Sequence, residues 1–126
     1  MPLVLWVALG GSIGAAARYG VNVWSGRVLG GEFPWHTLIV NVAGCFAMGV
    51  LTGLLALKLN LSQEMRAFLT TGILGGFTTF SAFSLDFALL VERKATFAAG
   101  AYAAASVFLS IAAVFAGLQL IRAVAP

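Results

Sequence analysis

Long uncharged stretches dominate this chain, covering residues 1–17, 33–57, 67–85 and 95–121. Crossing a hydrocarbon core of about 30 Å takes about 20 mostly apolar residues in a helix. Three of the stretches meet that length outright. The first meets it once Val21, Val23 and Trp24, just beyond Arg18, are counted. The pattern predicts four transmembrane helices, near Leu3–Trp24, Trp35–Leu57, Met65–Val91 and Thr96–Ile121. Short connections join them into a single domain over residues 1–126. Lipid offers backbone groups no water, so only helices or a closed barrel can span it. Barrel strands alternate apolar and polar residues, and the pairs Val50-Leu51 and Leu54-Leu55 break any such alternation. The expected class is an all-α membrane protein.

Composition agrees. The chain is 61% hydrophobic and 9% charged, with a mean hydropathy of +1.03. Soluble domains carry about 25% charged residues, so this chain has too little polar surface to face water on all sides. A signal peptide ending at Ala15-Ala16-Ala17 is disfavoured, because no Lys or Arg precedes the apolar run. Cys45 is the only cysteine and has no intrachain partner. His36 stands alone at the start of the second helix, with no neighbouring ligand that would make a metal site. The isoelectric point is near 9.6, but the basic residues are scattered and form no patch for nucleic acid. They read as anchors at the membrane interface, where lipid is the neighbour.

Lys and Arg near helix ends set orientation. With four spans, Lys58, Arg66 and Arg122 share one side with the N-terminus, while Arg18, Arg27, Arg93 and Lys94 lie on the other. The α-amino group evens the count. Two readings stay open: insertion one way, or insertion both ways to give an antiparallel homodimer. The pairs Gly10/Gly14 and Gly49/Gly53 have the small-xxx-small spacing that lets helix backbones approach closely.

Polar groups inside a membrane are costly, so their positions carry information. Thr37, Asn41, Cys45, Met48 and Thr52 recur at steps of three or four and share one face of the second helix. Asn41 brings amide donors and an acceptor into an apolar helix. It either bonds a neighbouring helix or faces an ion path. Tyr102, Ser106 and Ser110 repeat the pattern on the fourth helix. Gly75-Gly76 followed by Thr78-Thr79 makes a poor helix interior and predicts a break in the third helix at mid-membrane. Phe80 and Phe83 follow three residues apart, and a phenyl ring has an electropositive edge that suits a small anion.

The run from Gly75 to Ser84, Gly-Gly-Phe-Thr-Thr-Phe-Ser-Ala-Phe-Ser, resembles the signature of the Fluc fluoride channels, also called CrcB-like fluoride exporters. Asn41-Val42-Ala43-Gly44 and the segment from Gly10-Gly11 to Arg18 occur in matching order, so the resemblance covers the chain. It implies a dual-topology, antiparallel homodimer with two pores. It also implies pore-lining roles for Asn41, Phe80 and Phe83, hydroxyls along the route from Thr37, Ser106 and Ser110 with Tyr102 beside them, and Arg18 at the vestibule. Carbonyls of Gly75 and Thr78 from both subunits would hold a structural sodium ion. Ala82, Asp86 and Cys45 stand where the family often has threonine, glutamate and glycine.

The resemblance implies passive, selective fluoride export across the cell inner membrane, with no enzymatic step. Two rivals remain: a proton-coupled exporter, and a non-conducting assembly subunit in which the polar residues only join helices. A coupled exporter needs a mid-membrane carboxylate, whereas Glu32, Glu64 and Glu92 fall at helix ends and Asp86 about a turn and a half from one. Insertion in both orientations is directly testable. A single cysteine beside Arg93, in a Cys45→Ser background, is expected to label from both faces of the membrane. Labelling from one face alone would rule out the antiparallel dimer.

Overall fold

The computed structural model describes residues 1–57 and 60–124, and Lys58 of the charge count lies outside them. Four helical spans cross the molecule, each long and apolar enough to traverse a membrane. They comprise α1 (Leu3–Val28), α2 (Trp35–Leu57), a composite third span and α6 (Thr96–Val124). The third span contains α3 (Gln63–Arg66), a π-helical segment (Ala67–Leu74), α4 (Gly75–Phe77) and α5 (Phe80–Glu92).

The ends follow local chemistry. α1 runs four residues beyond the expected Trp24 because nothing before Gly30 breaks it. Gly30 adopts a left-handed φ of 82°, a conformation natural to glycine after a helix. The third span starts two residues early because the Ser62 hydroxyl accepts the Met65 N–H at 3.1 Å, satisfying one orphan donor of the first turn. At its far end, Lys94 N–H donates to Val91 O and Ala95 N–H to Leu90 O, both at 2.9 Å. These are the paired bonds of a Schellman turn, and Lys94 takes the left-handed position with φ 61°.

Within the third span the sequence expectation placed the weak point at Gly75-Gly76 and Thr78-Thr79 together. Gly75 is helical, with φ −63° and ψ −37°. The extended residues are Thr78, at φ −88° and ψ 158°, and Thr79, at φ −155° and ψ 126°. Branching at Cβ makes threonine comfortable in extended backbone. Thr79 then caps α5, its hydroxyl accepting the Ala82 N–H at 3.1 Å.

The glycines serve packing instead. A Cβ on Gly10 would come within 2.8 Å of Gly72 Cα, and one on Gly14 within 2.8 Å of Phe77 N. α1 therefore lies directly on the backbone of the π segment and α4. Gly117 meets Val50 N at 2.7 Å by the same measure, and Gly49 meets the Val114 carbonyl carbon at 3.0 Å, which locks α6 onto α2. The spacing pairs seen in the sequence thus mark two backbone-on-backbone seams. A core of Leu38, Leu90, Ala99 and Tyr102, with Phe33, Val42 and Phe83 packed against it, joins α2, α5 and α6.

Gly117→Ala is expected to lower stability by about 1–3 kcal/mol through overpacking. Gly100→Ala, where a Cβ meets open space, is expected to be neutral or to stabilise by up to about 1 kcal/mol through helix propensity. Thermal unfolding of the purified proteins in detergent distinguishes the two.

Candidate functional site

A groove of about 570 Å³ runs along one side of the bundle. α2 contributes Asn41 and Cys45, the third span Gly75, Thr78, Thr79, Phe80 and Phe83, and α6 Ser106, Val107, Ser110 and Ile111. The polar faces inferred for the second and fourth helices therefore meet across one space.

Asn41 is committed to the backbone of the third span. Its Nδ2 donates to Thr79 O at 2.9 Å, and its Oδ1 accepts the Thr79 N–H at 2.8 Å. The main-chain donor and acceptor fix which end of the amide is oxygen. Both polar groups of the extended Thr79 peptide are thereby satisfied inside the bundle. Asn41 thus bonds a neighbouring span, as one of the two readings of its amide expected. One of its two N–H bonds has no acceptor among the described residues, and the side chain also lines the groove.

Ser106 of α6 differs from three hydroxyls of the other spans. Ser12, Thr70 and Thr78 each donate to the carbonyl four residues back, at 2.9, 2.6 and 3.0 Å. Ser106 Oγ is buried with no hydrogen-bond partner among the described residues. Its residue is only 7% exposed and forms part of the groove wall. A buried hydroxyl without a partner is unusual and calls for an explanation such as a water or an ion.

The two phenylalanines differ in setting. Phe80 is 78% exposed in the single chain. Phe83 packs at 5.1 Å between ring centroids against Tyr102, and the Phe80–Phe83 centroids lie 5.5 Å apart at 43°.

Tyr102 and Thr37 lie behind the groove wall. Tyr102 is fully buried, with Phe33 edge-on to its ring at 5.5 Å. Its hydroxyl donates to Asp86 Oδ2 at 3.1 Å, and the buried Thr37 hydroxyl donates to the same oxygen at 2.7 Å. Sequence reasoning weighed Asp86 as a poor proton carrier and as a departure from the family pattern, and missed it as the centre of this cluster. A carboxylate lying within reach of two buried hydroxyls depends on contacts between spans, which no spacing along one helix reveals.

Arg18 and Thr37 line a separate cavity of about 300 Å³ with Asn22, His36 and Thr79. Arg18 Nε donates to Gly76 O at 3.1 Å, so the guanidinium is tied to the end of α4. Thr79 lies in the walls of both this cavity and the groove. Among the described residues no three His, Cys, Asp or Glu side chains gather as a metal site. Gly75 and Thr78 offer main-chain oxygens instead. The Thr79 N–H that would close an α-turn on Gly75 O goes to Asn41, which leaves that carbonyl without its helical donor.

The sequence pattern of the family described as "CrcB-like protein, Camphor Resistance (CrcB)" matches residues 5–118. Relatives align along almost their whole length. A protein of Rhodospirillum centenum named "Fluoride-specific ion channel FluC" is 59% identical over 122 residues, 97% of each chain. One of the same name from Rhizobium etli is 58% identical, covering 94% of this chain and 95% of its own. Another from Agrobacterium fabrum is 58% identical, covering 92% and 93%.

The Asn41 grip yields its own test. Asn41→Asp keeps the acceptor for Thr79 N–H, but an ionised carboxylate has nothing to donate to Thr79 O. Leaving that buried carbonyl unpaired is expected to cost about 1–3 kcal/mol. Thermal unfolding should therefore fall at neutral pH and recover in acid, where the introduced acid regains a proton to donate. Unchanged melting at neutral pH would show that Asn41 does not hold the third span.

Proposed function

The chain belongs to the family of CrcB-like proteins, and from that premise we propose that it is a passive, selective fluoride channel of the cell inner membrane. No chemical step is required of it. Its relatives carry the name of ion channels, and its four spans make it a multi-pass membrane protein.

The observation that carries this reading is the groove. Ser106 holds a buried hydroxyl with no partner among the described residues, and Ser110, Asn41, Phe80 and Phe83 share its walls. Fluoride is small and strongly hydrated, so a path must replace its water with donors. Hydroxyls and an amide N–H donate directly, and ring edges supply a positive rim without a formal charge. Thr37 and Tyr102 act through Asp86, anchoring the wall on which Phe83 rests. Arg18 draws anions into the adjoining cavity.

Direction follows from electrostatics. Hydrogen fluoride enters neutral and dissociates in the less acidic cytoplasm, where the anion is trapped. An inside-negative potential drives an anion outward with about 2.3 kcal/mol per 100 mV, so a channel suffices to lower cytoplasmic fluoride.

The proposal extends to assembly. Two copies in antiparallel orientation would cover the exposed Phe80 face and complete the groove. The extended Thr78–Thr79 segment would then lie as a break in the third span near mid-membrane. Carbonyls of Gly75 and Thr78 from both copies would hold a sodium ion as a structural pin, since main-chain oxygens suit hard cations and unwound membrane helices present them. Support comes from the Gly75 carbonyl, freed because the Thr79 N–H goes to Asn41.

Phe80 is the cleanest probe of the ion path because so little of the fold rests on it. Phe80→Ile is expected to cut fluoride efflux per folded dimer from liposomes by about tenfold or more, the factor that 1.4 kcal/mol of lost anion stabilisation gives. Elution on size exclusion should stay unchanged. Normal flux from an intact dimer would place the path elsewhere, and loss of the dimer ahead of flux would favour an assembly subunit.

A further inference from the structure

His36 stands in the walls of two cavities at once. The first also holds Arg18 and Asn22. The second, about 290 Å³, holds Asn22, Glu32, Asp86 and Arg93. His36 is half-buried in the first turn of α2, next to Thr37, whose hydroxyl reaches Asp86. Its imidazole makes no hydrogen bond to any described residue, so both ring nitrogens are available to water or an ion in these spaces.

The charges around it nearly cancel. Arg18 comes from α1, Glu32 from the α1–α2 connection, Asp86 from α5 and Arg93 from the turn that follows it. Two cations thus face two carboxylates. Each cation is also tied in place, Arg18 to Gly76 O at 3.1 Å and Arg93 through Nη2 to Glu32 O at 2.8 Å. Asp86 is held by the Thr37 and Tyr102 hydroxyls. With a neutral imidazole the formal charge lining the two cavities is zero. A proton on His36 makes it +1, so this one side chain decides whether the lining carries net positive charge.

We propose that His36 is an entry-determining residue for the anion, admitting fluoride faster when protonated than when neutral. The proposal rests on the channel reading given above and adds a residue to it. Histidine is the side chain that can gain or lose a proton without extremes of pH. As pH falls it gains charge and attracts the anion; as pH rises the charge and the attraction are lost. One unit charge roughly 10 Å from an anion in a water-filled mouth changes its local concentration by about twofold. Salt screens such a field over about 10 Å at 0.1 M and about 3 Å at 1 M, so the response belongs to low ionic strength.

Single-channel fluoride currents of the full-length protein in planar bilayers test this, measured between about pH 5 and 8. The wild type is expected to pass about twice the current at the acid end in dilute salt, with the difference fading near 1 M salt. His36→Gln should hold the alkaline value at every pH, and His36→Lys the acid value. Because unitary current is read only from conducting channels, poor folding of one variant does not mimic either result. A His36→Gln channel that keeps the wild-type pH response would overturn the proposal, as would a wild-type current independent of pH. No fluoride current from the wild type at any pH would instead remove the channel reading itself, and this proposal with it.

Discussion

A peptide group inside a membrane must find its partners within the protein, because the surrounding lipid offers none. The rest of this structure turns on how that demand is met at Thr79. Its N–H and carbonyl point sideways out of the third span, and the Asn41 amide takes both. Without that grip the extended pair Thr78–Thr79 would expose unpaired backbone, and continuous helix would be the cheaper state. With it, α5 can begin afresh under a threonine cap, and Phe80 and Phe83 are turned toward the groove. The same contact takes the helical donor away from Gly75 O. One side chain thereby links the backbone path, the aromatic pair and the freed Gly75 carbonyl.

The close seams make such a side-on approach possible. Asn41 can reach the third span only if α2 lies near it, and Gly44 three residues on has no room for a Cβ beside Thr78 and Phe77. The α1 glycines bring that helix onto the π segment, and Gly49 and Gly117 bring α6 onto α2. The serines of α6 are thus delivered to the opposite wall of the space that Asn41 faces. Packing and polar chemistry are coupled through distance: widening either seam would separate the walls.

The four spans were legible because hydrophobic length alone dictates them, and the α2 bounds agreed to the residue. Helix ends such as Val28 and Gln63 were less so, since they depend on a glycine's φ and a serine cap. Most candidate residues, including Asn41, Phe80, Phe83, Ser106 and Ser110, share one groove, because regular spacing on rigid helices preserves a face. Asn41 was visible as an expensive amide, but its partner was not, because the Thr79 backbone enters no side-chain pattern. Propensity marked Gly75-Gly76 and Thr78-Thr79 together as a weak point; the backbone is extended only at the threonines, while Gly76 packs against Gly11 of α1. Asp86 and His36 were undervalued for a related reason. Their neighbours arrive from other spans, and a single helix face does not disclose them.

What separates a conducting pathway from a coupled exporter is whether charge moves alone. Asp86 lies within α5, and two hydroxyls already hold it. The pure protein in fluoride-loaded liposomes, with no proton gradient, answers the question. Efflux on an ion-selective electrode should begin only when valinomycin supplies a compensating potassium current, and it should proceed without a change in internal pH. Fluoride release that needs proton exchange and ignores valinomycin would contradict the account.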